Sequence, residues 1–192
     1  MRTAIPKSFL AYYPALYPQD ELRESVVLLD SKYGGSTVIQ AGHPPKYEPL
    51  ERRESYDGPK LQTLSSFGPT KTVRLGDIAL ARSGDKGSNL NCGIFVRNPQ
   101  HWPWFQAFMS RERMVSLIGQ DWQDEFFLER VEFSNILAVH FVIYGILGRG
   151  VSGSSRLDSL GKAFADYIRD KHVDVPAAFL KPVAGNGAKA RI

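Results

Sequence analysis

Residues 81–87, with the sequence ARSGDKG, decide how this chain is interpreted. They lie between segments 78–82 and 90–97, in which apolar side chains recur at every second residue. Such alternation predicts β-strands. We therefore interpret residues 81–87 as the connection of a β-hairpin, in which Gly84 and Gly87 are free to take positive φ angles.

This connection carries more polar groups than a turn needs, namely Arg82, Asp85, Lys86, Asn89 and Asn91. A cationic loop with exposed backbone N–H groups suits a carboxylate or a phosphate. Turns are commonly polar for structural reasons alone, so a solvated hairpin remains the alternative. The residues by themselves do not identify an activity.

The composition of the chain is that of an ordinary globular protein. Of its 192 residues, 43% are hydrophobic and 23% are charged. The net charge of +4 comes entirely from residues 71–192 and is interleaved with acidic side chains, which argues against nucleic acid and suits an anionic small molecule. The single cysteine, Cys92, indicates a reducing compartment. No apolar run is long enough to span a membrane and no signal peptide is visible, so we expect a cytoplasmic protein.

Three segments are predicted along the chain. Residues 1–70 form an N-terminal arm rich in Tyr and Pro, a hairpin around Lys32–Gly35 and a linker over 42–70. Residues 71–172 form the compact domain, and residues 173–192 form a loosely held tail rich in Pro, Gly and Ala. The aromatic arm could pack on a second subunit, so we expect a homo-oligomer.

Within the domain, residues 102–118 are predicted to be helical, with a polar middle at 110–113 that could break the helix in two. Residues 137–147 are apolar on both faces, which predicts a central strand covered on both sides. His140 and Tyr144 share one face of that strand, about 13 Å apart by strand rise. A second helix is predicted over 157–171.

A second glycine-rich stretch, residues 148–156, connects that strand to the following helix. Glycine-rich backbone running into a helix N-terminus, with Arg149, Ser152 and Arg156 alongside, suits an anion. If both loops lie at the same end of one sheet, they form one polar pocket. His140, Tyr144 and Asp85 are then the candidate acid and base groups, although a lone buried histidine is more often a hydrogen-bonded core residue.

Other sites fit the sequence poorly. Residues 148–153 match GxGxxG, but too little chain follows for a dinucleotide-binding fold. Ser154 replaces the last glycine of GxSxG, so the nucleophile elbow of a serine hydrolase is absent. The four histidines have no ligand spacing, and one cysteine cannot build a structural zinc site. We therefore predict no metal and no cofactor.

Residues 75–87, with Asn91 and Gly93, resemble the C-terminal ferredoxin-like domain of the AtuA family, the acyclic terpene utilisation proteins. The similarity continues through residues 135–151 and 156–162, and segments 65–70 and 171–174 are most similar to fungal members. The resemblance implies an α+β fold, with a ferredoxin-like antiparallel sheet, two helices on one face and an N-terminal arm and hairpin.

Typical members carry a much larger N-terminal domain, which this sequence lacks, so we expect a standalone member of the family. The resemblance implies isoprenoid-type substrates, including acyl-CoA thioesters. One hypothesis is a cofactor-independent isomerase, lyase or cyclase, acting on a hydrophobic terpenoid- or polyketide-like molecule with an anionic or thioester group in fungal secondary metabolism or terpene metabolism. The alternative is a non-catalytic module that binds acyl-CoA or small molecules, or that oligomerises, with a separate partner chain.

Overall fold

The structure is a computed structural model, and it describes residues 8, 15–30, 32, 34–42, 46, 48, 51, 55–56, 62–154 and 157–180. The chain divides into two compact units, Met1–Arg52 and Arg53–Ile192. The boundary between them therefore lies within the segment interpreted as arm and linker, and each unit is described by itself. No helix among the described residues is long and apolar enough to cross a membrane.

The first unit contains the predicted N-terminal hairpin. Strands β1 (Ser25–Asp30) and β2 (Gly35–Gln40) pair antiparallel, with Val27 opposite Val38. Side chains on both faces of the hairpin are exposed, including most of its apolar ones. Of the arm, Ser8 and residues 15–21 are described, and the remaining arm residues lie outside the described part of the chain.

The second unit is built on a five-stranded sheet. Its strands are β3 (Ser55–Tyr56), β5 (Ala79–Lys86), β6 (Asn89–Val96), β7 (Phe127–Phe133) and β8 (Ala138–Tyr144), in the order β3-β7-β8-β6-β5. All neighbouring strands run antiparallel except β3, which runs parallel to β7. The apolar segment around residue 140 is therefore the central strand, as its composition predicts.

The loop interpretation of residues 81–87 is wrong. All of these residues except Gly87 belong to β5, which pairs with β6 without interruption down to Lys86 and Asn89. The connection is only Gly87 and Ser88, and Gly87 takes a φ of 67°. Gly84 lies within the strand and is not among the glycines with positive φ.

A separate two-stranded sheet closes the domain. Strand β4 (Thr70–Arg74) pairs antiparallel with β9 (His172–Pro176), with Val73 opposite Val173. Val173 and Val175 are buried, so the prediction of a loose tail is wrong for this segment, whose alternating valines belong to the core. Residues 181–192 of the predicted tail lie outside the described residues.

Three short helices pack on one face of the large sheet: α1 (Trp102–Phe108), α2 (Arg111–Ile118) and α3 (Phe164–Arg169). The predicted break between α1 and α2 is present, and the Ser110 side chain caps α2. The second predicted helix is much shorter than expected, because Gly161, three residues before α3 begins, takes a non-helical φ of 59°. Trp104, Phe105 and Phe108 belong to the hydrophobic core.

Arg130 extends from β7 into this core and ends α1. Its side chain is 1% exposed and donates to the backbone carbonyls of Gln106 and Met109 and to the Glu132 carboxylate. A guanidinium suits the unpaired carbonyls at a helix C-terminus. The charge is buried but satisfied, which links the helix pair to the sheet.

Alternate residues of the strands point to opposite faces of the sheet. The face that packs against the helices carries Cys92, Ile94, Val139, Phe141 and Ile143, all fully buried. The sheet and its helix layer confirm the predicted α+β, ferredoxin-like class. The opposite face is only half buried, so the prediction that β8 is covered on both sides is wrong for that face.

Candidate functional site

The open face of the sheet collects most of the predicted site residues. Side chains of directly paired residues in antiparallel strands lie on the same face. Arg82 pairs with Gly93 and Gly93 with His140, while Asn91 pairs with Val142. By this register, the open face carries six of the predicted residues: Arg82, Lys86, Asn89, Asn91, His140 and Tyr144. We call this surface the polar face.

His140 is half buried near the middle of the polar face. Its Nε2 lies 3.3 Å from the amide nitrogen of Asn91, and since an amide nitrogen can only donate, Nε2 accepts and the ring proton lies on Nδ1. Burial lowers the pKa of His140, the Glu129 carboxylate opposes this shift, and the Lys86 ammonium adds to it. The ring is therefore neutral at neutral pH and can accept a proton.

Glu129 is a member of the polar face that the sequence analysis missed. It pairs with Val142 across β7 and β8, and its carboxylate accepts a 2.9 Å hydrogen bond from the Tyr144 hydroxyl. The Tyr144 ring also packs at a tilt against Phe127, at 5.6 Å between ring centroids. Glu129 thus contacts Tyr144 directly and acts on His140 through space. The alternation of residues 127–133 could have identified it.

Lys162 is the second residue that the sequence analysis missed. A Cβ atom at Gly84 would lie 2.8 Å from the Lys162 ammonium nitrogen and 3.8 Å from the side-chain oxygen of Asn91. The absence of a side chain at position 84 therefore leaves the space that the ammonium occupies. A third cation consequently lies beside Arg82 and Lys86, contributed from outside the strands.

The segment that carries Lys162 is held firmly against β5. The Ser83 hydroxyl donates to the Gly161 carbonyl, at 2.6 Å, and accepts from the backbone N–H of Ala165. The Asp158 carboxylate accepts from the backbone N–H groups of Lys162 and Ala163. Residues 161–162, from the second stretch that carries the family resemblance, therefore meet β5 at the edge of the sheet.

Arg82 and Lys86 project from the edge strand, and both are exposed. Lys86 donates to the backbone carbonyl of Asp85, while Arg82 forms no ion pair with any described residue. In particular, neither Asp85 nor Asp158 forms an ion pair with Arg82. Both cations are therefore available to an anion on the polar face.

Asp85 lies off the polar face, and Asn89 lies on it but is already engaged by the backbone. Asp85 pairs with Leu90, whose side chain is in the core, so the carboxylate lies on the helix side of the sheet. The Asn89 side-chain oxygen accepts from the backbone N–H of Gly145, which gives Asn89 a structural role. The structure does not bring Asp85 together with His140.

The two glycine-rich stretches do meet at one end of the sheet, as the pocket hypothesis requires. Leu147 donates its backbone N–H to the Ser88 carbonyl, and a Cβ at Gly150 would lie 3.1 Å from the Gly87 carbonyl oxygen. Arg149 and Ser152 are exposed in the second stretch, beyond the strand ends. Arg156 lies outside the described residues.

No group of three His, Cys, Asp or Glu side chains within the described ranges could hold a metal ion. The polar face instead combines a neutral imidazole, a carboxylate and three cations. This arrangement can bind an anion and move a proton beside it.

Comparisons with known proteins bear on the family. No curated protein and no solved structure matches the chain significantly. A family model, the AtuA ferredoxin-like domain, matches residues 73–174, more than half of the chain and the part that contains the polar face. The chain therefore belongs to the family of AtuA ferredoxin-like domains.

Proposed function

We propose that this chain is a cofactor-independent enzyme that moves a proton on a hydrophobic small molecule bearing a carboxylate or a thioester. The class of reaction is isomerisation, elimination or cyclisation. The observation that carries the proposal is the placement of neutral His140, with the Asn91 amide on its Nε2, on the same sheet face as three cationic side chains. A terpenoid- or polyketide-like skeleton fits the apolar side chains that share this face.

Three cationic side chains on the polar face attract the carboxylate or thioester group of the substrate. Arg82, Lys86 and Lys162 surround the β5 side of the polar face and can hold a carboxylate or polarise a thioester carbonyl. The Asn91 amide can turn from His140 to the carbonyl oxygen of the substrate. That movement frees the lone pair on His140 Nε2, which is the basic nitrogen of the ring.

Proton transfer then follows from these positions. His140 Nε2 takes a proton from the carbon beside the carbonyl, and the electron pair of that C–H bond moves onto the carbonyl oxygen. The cations stabilise the resulting enolate, and the Glu129 carboxylate stabilises the imidazolium. The proton returns to another carbon in an isomerisation, or a leaving group departs from the neighbouring carbon in an elimination.

Deuterium exchange tests this proposal without knowledge of the natural product. The protein is incubated in D₂O with a panel of branched and unsaturated carboxylic acids and their N-acetylcysteamine thioesters, and deuterium at the α-carbon is followed by NMR. Wild type should exchange at least one panel member. His140→Gln should slow this exchange by roughly 10²–10⁴-fold, the usual contribution of a general base.

The matched control is His101→Gln, since His101 is also partly buried with a lowered pKa but stacks on Phe179 away from the polar face. This variant should exchange at the wild-type rate. Exchange that survives unchanged in His140→Gln, or that no panel member shows, would overturn the enzymatic assignment.

A second candidate is a non-catalytic module whose open face is covered by a separate partner chain. It is favoured by the apolar residues that β7 contributes to this face: Phe127 and Val131 are half buried, and Phe133 is 47% exposed. If the partner chain is the large N-terminal domain of the family, Phe133→Lys should abolish its co-purification with this chain from cells that express both. Under the enzymatic proposal the same variant changes substrate affinity and not assembly.

Self-association is a third property that we infer, through the N-terminal hairpin. A two-stranded hairpin is at best marginally stable alone in water, and here Val26, Val27, Leu28 and Leu29 are all about half exposed or more. A second subunit would cover them. Light scattering should show an oligomer for wild type and a smaller mass for Val27→Lys with Leu29→Lys; a monomeric wild type would contradict the inference.

A further inference from the structure

A cavity of about 630 Å³ opens on the helix side of the sheet, at the end of β6 nearest the Gly87 turn. Its wall is formed by buried apolar side chains, namely Leu90, Ile118, Ile146, Leu147 and Phe164. Leu90 belongs to the core face of β6, opposite the polar face. The cavity and the polar face therefore lie on different sides of the sheet.

The cavity walls are fixed by contacts outside it. Leu147 is tied to the hairpin turn by its backbone hydrogen bond to Ser88, at 3.0 Å. Gly161 packs so closely on Leu90 that a Cβ at position 161 would lie 2.5 Å from the Leu90 side chain. Phe164 begins α3, and the adjacent Ala165 is held by the Ser83 hydroxyl. The apolar wall is therefore preformed, and the cavity volume lies within the range of small-molecule sites, roughly 300–1,000 Å³.

The rim of the cavity is polar and acidic. Asp121 accepts a 2.9 Å hydrogen bond from the Tyr167 hydroxyl, and Asp158 accepts from two backbone N–H groups. Gln120 and Gln123 complete the polar part of the rim. None of the described residues that line the cavity is Lys, Arg or His. Among the described lining residues, two carboxylates and no cation disfavour an anionic ligand and favour a hydroxyl or an arylamine N–H that can donate to them.

We propose that this cavity is a second ligand site, which takes a neutral hydrophobic small molecule with a hydroxyl or arylamine N–H donor. This site is separate from the anion site of the polar face, and the proposal does not depend on the enzymatic assignment. Its charge preference is the reverse of that of the polar face. The chain can therefore hold two chemically different molecules on opposite sides of one sheet.

Two dyes with one aromatic skeleton test the proposal on the full chain. N-phenyl-1-naphthylamine is neutral and carries an N–H donor, whereas 8-anilino-1-naphthalenesulfonate differs from it by an added sulfonate. We expect saturable fluorescence enhancement with the neutral dye. In the cavity the sulfonate dye should bind at least tenfold more weakly.

The blocking variant is Ala163→Phe, because Ala163 lines the cavity and is exposed. Its matched control is Ala178→Phe, the same change at an exposed position outside the cavity. The neutral dye should lose at least tenfold in affinity in the first variant and bind normally in the second. The sulfonate dye, held if at all by the cations of the polar face, should be unaffected by either.

Leu157→Lys provides a test that does not disturb packing, since Leu157 lines the cavity with a fully exposed side chain. The added cation should increase the affinity for the sulfonate dye by several-fold and leave the neutral dye nearly unchanged. The proposal is overturned if the neutral dye shows no saturable binding, if Ala163→Phe binds it as wild type does, or if both dyes bind the cavity equally.

Discussion

The two faces of the five-stranded sheet come from alternate residues of the same strands, yet they treat polar groups differently. On the helix face, Arg130 is almost completely buried and donates to the carbonyls of Gln106 and Met109 and to the Glu132 carboxylate. On the polar face, His140 and Asn91 are half buried and bond to each other, beside cations that point outward. Full burial demands complete pairing and gives stability, whereas partial burial leaves polar groups that a ligand can still engage.

The largest expected effect separates the two faces at adjacent positions of β8. Phe141→Ala should lower the free energy of unfolding by about 3–5 kcal/mol, because it leaves a cavity in the core beneath the helices. Val142→Ala, on the half-buried polar face, should cost only about 1 kcal/mol. Denaturant unfolding of both variants measures this difference, and equal losses would show that the polar face is covered in solution.

The next effect concerns ligand binding on the polar face. Arg82→Ala, Lys86→Ala and Lys162→Ala should each weaken the binding of citrate by roughly 1.5–3 kcal/mol, the scale of a charge-assisted hydrogen bond. Because Lys86 is exposed, the melting temperature of the Lys86→Ala variant without ligand should barely differ from that of wild type. Melting curves with and without citrate give both quantities.

Lys71→Ala is the control for these cations, because Lys71 is an exposed lysine on β4, outside the five-stranded sheet. Its stabilisation by citrate should equal that of wild type. Stabilisation retained in all three polar-face variants would remove this face from the anion site and redirect attention to Arg149.

At Gly84 we expect a small effect on stability together with a selective loss of ligand binding. In Gly84→Ala the new methyl group meets the flexible end of Lys162, which can move away, so stability should change by less than about 1 kcal/mol. The ammonium, however, is displaced from the space it occupies over Gly84 on the polar face. Citrate binding should therefore fall to the level of Lys162→Ala, and the double variant should bind no worse than either single one, as calorimetric titration can show.

The smallest expected effect is the pH dependence of stability. Because the pKa of His140 is lowered in the folded chain, folding favours the neutral ring. Its contribution is fully present above the unfolded pKa of about 6.5 and is lost as the pH falls through the folded pKa. His140→Gln should flatten this acid limb, which cannot exceed about 1.4 kcal/mol per pH unit for one proton.

His101 has a pKa lowered by burial as well, so His101→Gln should remove a separate part of the same limb. Unfolding titrations from pH 5 to pH 8 distinguish the two contributions. A His140→Gln curve parallel to that of wild type would place the ring in contact with solvent and contradict its half-buried position.

The sequence predicts the sheet and the helix layer well, because both depend on local periodicity. It predicts residues 81–87 poorly, since two glycines and three charges in seven residues are typical of a turn. The structure shows that Gly84 is required by Lys162, which lies 78 positions further along the chain. No local pattern carries that information.

The residues of the candidate site also divide into those that the sequence could identify and those that it could not. Arg82, Asn91 and His140 could be named from their strands, and their common face follows from the pairing register. The same reasoning could have identified Glu129, because it is spaced two residues from Val131 on β7 and therefore shares its face with Val131 and Phe133. Asp85 was misplaced for a related reason: within a strand, adjacent residues face opposite sides, whereas in a loop they could have met.

The reactivity of the single cysteine reports how often the centre of the sheet opens. Cys92 lies between Asn91 and Gly93 with its thiol on the buried side, and burial raises the pKa of that thiol to about 12. Alkylating reagents need the thiolate, so the folded chain should react only during moments when the centre of the sheet opens. The labelling rate then measures how often that opening occurs, and a molecule held on either side of the sheet should slow it.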